Sequence, residues 1–380
     1  MSISVYSFFS GVGFLDLGFE CAGFEISLVN EYSQAFMSAY QYARINMKMP
    51  LPRHGYFNCD INYFLRGEGK RKIHNLVEKD KKSKIIGFIG GPPCPDFSIA
   101  GKNQGINGEN GRLTTSYKRL ILQEMPDFFV FENVKGLWST KKHREEYEKL
   151  KESFKRKGYL LTDKLVNSLE YGVPQERERI ILFGINKSIC KENPNEMRRI
   201  LKQEFSWGNN PVFSLEKIKS MRWPTEEPFH EDKSTKCPEN IEERLTIEYW
   251  FKKNEVNTHP NAGDYFVPRQ GRKKMDTINE GDVSRKSFKR LHRWRYSPTA
   301  AYGNNEVHLH PYKSRRLSVA EALAIQSLPK EFVINPELSL TDKFKTIGNG
   351  VPYLMSNSIA IQIKKFIQKV VDDNKVIEER

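Results

Sequence analysis

A mostly parallel, doubly wound α/β sheet with a smaller irregular unit attached is the fold class predicted by this 380-residue sequence. Three observations carry that expectation. Short β-rich runs alternate with helical patterns through the first half, reactive side chains gather where those runs end, and regular periodicity stops near Asn186. Strands alternating with helices imply a parallel sheet covered on both faces. In such sheets ligands sit beyond the carboxyl ends of the strands.

The predicted strands are Ser4–Phe9, Glu25–Asn30, Ile85–Ile89, Phe128–Phe131, Leu160–Val166 and Ile180–Ile185. Between the fourth and fifth, Tyr147, Leu150 and Phe154 recur at helical spacing, and Gly158 suits the position just past a helix end. From Asn186 to about Pro268, Pro194, Pro211, Pro224, Pro228, Pro238 and Pro260 break any long period, as in a separate small domain or insertion. Arg269 to Arg316 then holds 13 Lys/Arg against 4 Asp/Glu, a net +9 out of +14 for the chain. That concentration makes a polyanionic partner plausible. After Ser318 a helical pattern returns, and a last helix is expected over about Tyr353–Val370.

Composition excludes several classes. The five cysteines are odd in number and lack CxxC spacing, which argues against a disulfide framework or a zinc site and for a reducing compartment. His308 and His310 lie close together without a partnering Cys/His set, so no metal is expected. No apolar run approaches the roughly 20 residues needed to cross a bilayer, and the first residues do not read as a leader peptide. The expectation is a cytoplasmic protein with no membrane contact.

Phe9-Ser10-Gly11-Val12-Gly13 follows the first strand and opens a helix, where glycines let a backbone approach a ligand. Glu31 ends the second strand about 20 residues past the glycines, a position from which an acid can bind ribose hydroxyls. Asp60, before Ile61, could accept from an adenine amino group. Together these favour a ribose- and adenine-bearing cofactor. Ile85–Ile89 runs into Gly90-Gly91-Pro92-Pro93-Cys94-Pro95, a preset loop that frames one cysteine as a candidate nucleophile. Glu132 ends the next strand, either as salt-bridged structure or as an acid serving a base ring. Gln175, Arg177 and Arg179 precede the last strand. The two arginines share a face of an extended segment and suit phosphate or base-oxygen binding.

In this order the residues are recognisable. Phe9/Gly11/Gly13, Glu31, Asp60-Ile61, Gly90–Cys94, Glu132-Asn133-Val134, Gln175/Arg177/Arg179, Arg316-Leu317-Ser318 with Glu321 and Gln326, and Gly348–Pro352 match ordered motifs. From near residue 4 to about residue 360 the chain resembles the bacterial cytosine-5 DNA methyltransferases of restriction–modification systems. The resemblance implies a Rossmann-like domain dependent on S-adenosylmethionine at 1–187, a target-recognition domain at 188–331, and a segment at 332–380 returning to the first. It also implies that Phe9, Glu31, Asp60, Asn349 and Gly350 line the cofactor site with the turn residues Gly11, Val12 and Gly13. Tyr32, Ile61, Pro93 and Leu113 would pack nearby.

Cys94 would add to carbon 6 of a flipped cytosine, Glu132 would hydrogen-bond ring nitrogen 3, Arg179 would hold the ring oxygen, and Arg177 would support the loop or a phosphate. The partner implied is double-stranded DNA, bound by a monomer, with a cognate restriction endonuclease acting on the same site. Arg269, Arg272, Lys273, Lys274, Arg285, Lys286, Lys289, Arg290, Arg293 and Arg295 are candidate phosphate contacts. Three positions depart from the pattern: Pro95 stands for a usual glutamine, Phe14 for a usual glycine and Ser7 for a usual acid. A tRNA-modifying relative of the same fold would carry Cys-Phe-Thr in the recognition region. The cysteine there after Cys190 is Cys237, within Lys236-Cys237-Pro238.

Overall fold

The computed structural model describes residues 2–378 except 94–108, 190–193, 204, 209–212, 268–271, 286, 301 and 303–305, and the side chains of 109–110, 194–196, 272 and 372–378. Among the described residues seven strands form one sheet in the order β3-β2-β1-β4-β5-β7-β6. They are β1 (Ser2–Phe8), β2 (Glu25–Asn30), β3 (Tyr56–Phe57), β4 (Lys84–Gly90), β5 (Phe128–Val134), β6 (Tyr159–Asn167) and β7 (Glu178–Asn186). The six predicted strands are all present. The two-residue β3 is additional, too short to leave a periodic signal. β7 runs antiparallel to both β5 and β6, and the remaining neighbours pair in parallel.

Helices α1 (Phe14–Cys21), α2 (Gln34–Asn46), α3 (Gly67–Lys81), α4 (Glu109–Glu124), α5 (Gly136–Ser139) and α6 (Lys141–Arg156) connect the strands of this half. Tyr147, Leu150 and Phe154 form the buried stripe of α6, and Gly158 takes the left-handed conformation (φ 93°) just beyond its end. One core lies on each face of the sheet. Tyr6, Phe8, Phe88, Tyr117 and Phe131 belong to the first, and Val5, Phe24, Ile89, Phe128 and Phe183 to the second.

Beyond Asn186 the elements are short: α7 (Pro194–Gln203), α8 (Leu215–Ser220), α9 (Ile247–Lys253), α10 (Arg272–Asp276), α11 (Val319–Ile325) and α12 (Leu340–Asn349), before the long α13 (Tyr353–Glu378). A third core joins α9, α11 and α12 to Val12, Phe14 and Leu17 of the first glycine turn and helix. α13 lies along α1, where Ser356 donates to the Leu15 carbonyl (2.7 Å) and Asn357 to that of Gly18 (3.0 Å). The end of the chain thus closes on its beginning. Among the described residues no helix is long and apolar enough to cross a membrane.

Candidate active site

The strand order reverses between β1 and β4, so the crevice expected for a ligand opens beyond Phe8 and its partner Gly90. On the β1 side Phe9 adopts φ 54° and Gly11 φ 56°, which turns the chain sharply into α1. The Gly11 N–H donates to one carboxylate oxygen of Glu31 (2.9 Å), and the Ser33 N–H to the other (2.8 Å). Burial pushes the Glu31 carboxyl above its usual range, against the pull of those two N–H groups. Asn30 bonds the carbonyls of Phe57 and Cys59, and Asn58 those of Glu31 and Tyr32, so the ends of β2 and β3 are laced together. This lacing sets Asp60, which caps the Asn62 N–H (2.7 Å) while staying exposed at the same edge. The two asparagines carried no periodic or motif signal of their own.

These residues fit an adenosine-bearing ligand. A Cβ placed on Gly11 would meet nothing within 4 Å, whereas one on Gly13 would lie 2.4 Å from the Tyr40 ring. The turn is therefore open on one side and packed on the other. Tyr32 is 75% exposed beside it. Phe9 and Leu113 are half-buried against the same core, and Ile61 is buried within it. Val12 is also buried, in the core shared with Phe14 and Leu17. Asn349 ends α12 exposed, and Gly350 touches the Phe14 ring, which a Cβ there would approach to 2.2 Å. Phe14, the departure from glycine, is thus filled in by its neighbours Gly350 and Phe332. Ser7, the departure from an acid, donates to Asp16 of α1 (2.8 Å), which also accepts from Tyr40 (3.0 Å). A carboxylate is restored one turn along the helix.

Glu132 lies two residues before the end of β5, paired with Ile181, and Arg179, second in β7, lies opposite Val134, which places the two side chains diagonally on one face. Arg179 Nε lies 2.8 Å from Glu132 Oε1. Burial raises the Glu132 carboxyl above its ordinary range even with Arg179 and Arg177 opposing it. The carboxylate sits against the backbone just past β4: a Cβ on Gly91 would come within 2.5 Å of Glu132 Oε2. Pro93 is exposed next in the chain; Cys94 lies outside the described residues, as does Pro95.

The Gln175–Arg179 segment lies at the amino end of its strand, yet it reaches this edge of the sheet because β7 is reversed. Of the two expectations for Arg177, support of the loop or of a phosphate, its contacts match the first. It is buried, with Nη1 donating to the Ala300 carbonyl (3.1 Å) and Nη2 to that of Gly348 (2.7 Å). These bonds tie Gly348 and Ala300 to the segment that leads into β7.

The basic stretch divides in the same way. Arg290 is buried and donates to the carbonyls of Ile278, Met275, His310 and Lys313, with Phe229 over its guanidinium. Arg293 is buried against Glu280 (2.7 Å). Neither can reach a phosphate, which corrects two of the ten expected contacts. Lys273, Lys274 and Arg285 are exposed, Lys289 and Arg295 half-buried. Arg269, Lys286 and the Arg272 side chain lie outside the described residues. His310 is taken up by the Tyr312 and Lys313 N–H groups and faces Glu321 (3.4 Å).

Residues 3–365 match the model of the C-5 cytosine-specific DNA methylase family. The chain is 53% identical over 367 residues to the type II methyltransferase M.NmeDI of Neisseria meningitidis serogroup C, covering 96% of this chain and 84% of that one. It is 30% identical to M.FnuDI of Fusobacterium nucleatum, over 99% of this chain and 98% of the relative. The fold matches a solved structure described as a DNA modification methyltransferase encoded within an E. coli prophage. That match has TM-score 0.61 and 22% identity, and covers 97% of this chain and 100% of the other. It also matches an S. pombe Dnmt2 methyltransferase, with TM-score 0.58 and 13% identity over 96% and 99% of the two chains.

Proposed function

The chain belongs to the C-5 cytosine-specific DNA methylase family, and we propose that it works through a covalent cysteine adduct on an extruded cytosine. The target would lie in a specific duplex sequence, and the enzyme would be the modification partner of a restriction endonuclease. The observation that carries this reading is the buried Glu132 carboxyl, gripped by Arg179 and pressed against Gly91 just past β4, in the run of sequence that leads to Cys94.

Neither face of a cytosine is accessible within a stacked duplex, so the base must leave the stack. The Cys94 thiolate forms a bond to carbon 6, the pair from the 5,6 double bond moves to join carbon 5 and carbon 4, and charge develops on ring nitrogen 3. Glu132, held protonated more readily by burial, donates to nitrogen 3 and neutralises that charge. Arg179 holds the ring oxygen. S-adenosylmethionine supplies the methyl group. Phe9, Gly11, Glu31, Asp60, Asn349 and Gly350 would hold it, with Tyr32, Pro93 and Leu113 alongside. Carbon 5 would take the methyl group as its bond to the sulfonium breaks and a neutral thioether leaves, then lose its proton to a base as the bond between Cys94 Sγ and carbon 6 breaks, which restores the ring and frees Cys94. Residues 188–331 would form the target-recognition domain, and residues 332–380 would rejoin the catalytic one.

The test is trapping with a duplex carrying 5-fluorocytosine at the target, whose fluorine cannot depart as a proton does. Protein and oligonucleotide should become permanently joined in the wild type and stay separate in Cys94→Ala. Tritiated methyl transfer followed by bisulfite sequencing would give the site. Substantial turnover by Cys94→Ala would overturn the mechanism.

A further inference from the structure

A cleft of about 630 Å³ separates the Glu176 turn from the recognition region, with Lys219, Arg222, Trp223, Arg295 and Tyr296 among its walls. A smaller hollow of about 100 Å³ shares Glu176, Arg295 and Tyr296 with it. The Glu132 site does not use this cleft, but the two are mechanically joined. The Glu176 N–H donates to the Ser297 carbonyl (2.8 Å), and the Ser297 N–H to that of Pro174 (2.9 Å). Glu176 is three residues before Arg179, and three extended residues span at most about 10 Å. Duplex DNA advances 3.4 Å per step, so the Glu176 backbone lies within about three steps of Arg179, and the cleft it borders addresses base pairs close to the target.

The lining is built for a planar, acceptor-rich partner. Trp223 and Tyr296 meet edge to face (5.1 Å, 81°), and the Trp223 indole N–H is fixed to the Ile218 carbonyl (2.8 Å). The two cations nearest that wall differ. Arg222 is exposed, whereas Arg295 is half-buried and lines both hollows. Its backbone is pinned to His292 and Ile247, and its guanidinium leans on the Pro224 carbonyl (3.5 Å) and lies 5.5 Å from the Tyr296 ring centre. A pre-set guanidinium presents paired donors that match O6 and N7 of guanine in the major groove, while an exposed one suits the sugar–phosphate chain. Lys219 is held back by Glu176 (3.3 Å).

We propose that Arg295 reads a guanine within about three base pairs of the methylated cytosine, and that Arg222 holds a neighbouring phosphate. This rests on the chain methylating duplex DNA at a specific sequence. The experiment is methylation of a randomised duplex library, read by bisulfite sequencing, with competition binding of matched and single-mismatch duplexes alongside. Wild type should require guanine at one position in that window. Arg295→Ala should relax that one requirement by about 5- to 150-fold and leave the others intact. Arg222→Ala should weaken every duplex alike and lower the salt slope by about one. If Arg295→Ala turns over too slowly to sequence, the competition assay reads the same preference without catalysis. Unchanged discrimination in Arg295→Ala, or a wild-type site without guanine in the window, overturns the inference. Absence of any cytosine methylation by wild type instead overturns the reading on which it rests.

Discussion

Glu132 and Arg290 are both buried ionisable side chains, yet they belong to regions that keep their shape by opposite means. Glu132 sits on β5, whose backbone is bonded to β4 on one side and β7 on the other, so the carboxyl is not needed to satisfy the backbone and pairs with Arg179 instead. Among the described residues, those around Arg290 form isolated bridges, Arg290 with Leu309 and Leu309 with Arg316, in place of such a ladder. There the guanidinium itself gathers the carbonyls of Met275, Ile278, His310 and Lys313, and Arg316 does the same for Ser287 and Val307. Buried carbonyls must find donors. Where strands are missing, arginine supplies them. A count of positive charge in this region therefore overstates the surface offered to DNA.

The comparison can be broken most sharply at Glu132. Glu132→Gln keeps shape but cannot give up a proton, so kcat should fall about 10²- to 10⁴-fold while DNA affinity changes little. Single-turnover methylation and gel shifts on the same variant separate the two. An equal loss in both would make Glu132 a structural residue like Arg290.

Arg290→Met should do the reverse. With four carbonyls left without their donor, it should cost about 3 kcal/mol or more in urea denaturation, against under about 0.5 kcal/mol for exposed Lys274→Ala. Matching values for the two variants would end the claim that buried arginine replaces a sheet here.

Acid gives the smallest contrast. Burial pushes His308 down to about 3 from its ordinary 6.5. Its folded value is the lower, so the unfolded chain binds the proton first, and stability falls as pH drops below about 6.5. Between pH 6.5 and 5 that single ring should cost about 2 kcal/mol. Glu31 in the sheet half has its value raised by burial, so its contribution runs the other way and is lost as pH rises. His308→Leu should flatten the pH dependence of the urea midpoint over this range, and an unchanged slope would remove the histidine from the account.

How much of this was legible beforehand follows from the range of each signal. Strand ends and their side chains were readable because alternation, glycine turns and proline framing act over a few neighbouring residues. That is why Glu25–Asn30 falls where predicted and Gly158 ends α6. The family motifs placed Glu31, Asp60 and Glu132 at one edge for the same reason. β3 was missed because two residues make no period. Which of its two expected roles Arg177 takes, support of the loop or of a phosphate, was not legible because its partners, Ala300 and Gly348, are more than a hundred residues away.

The sequence by itself determined the alternating α/β order, the succession of reactive groups along it and the excess of positive charge near the end. Only the tertiary structure decided that β7 is reversed, which carries Arg179 back to Glu132. It also decided that Phe14 is filled in by Gly350, that Trp223 meets Tyr296 across 73 positions of chain, and that Arg290 and Arg293 face inward. The physical reason is the same in each case. A guanidinium serves a carbonyl or a phosphate equally well, and which one it meets depends on what folding brings beside it.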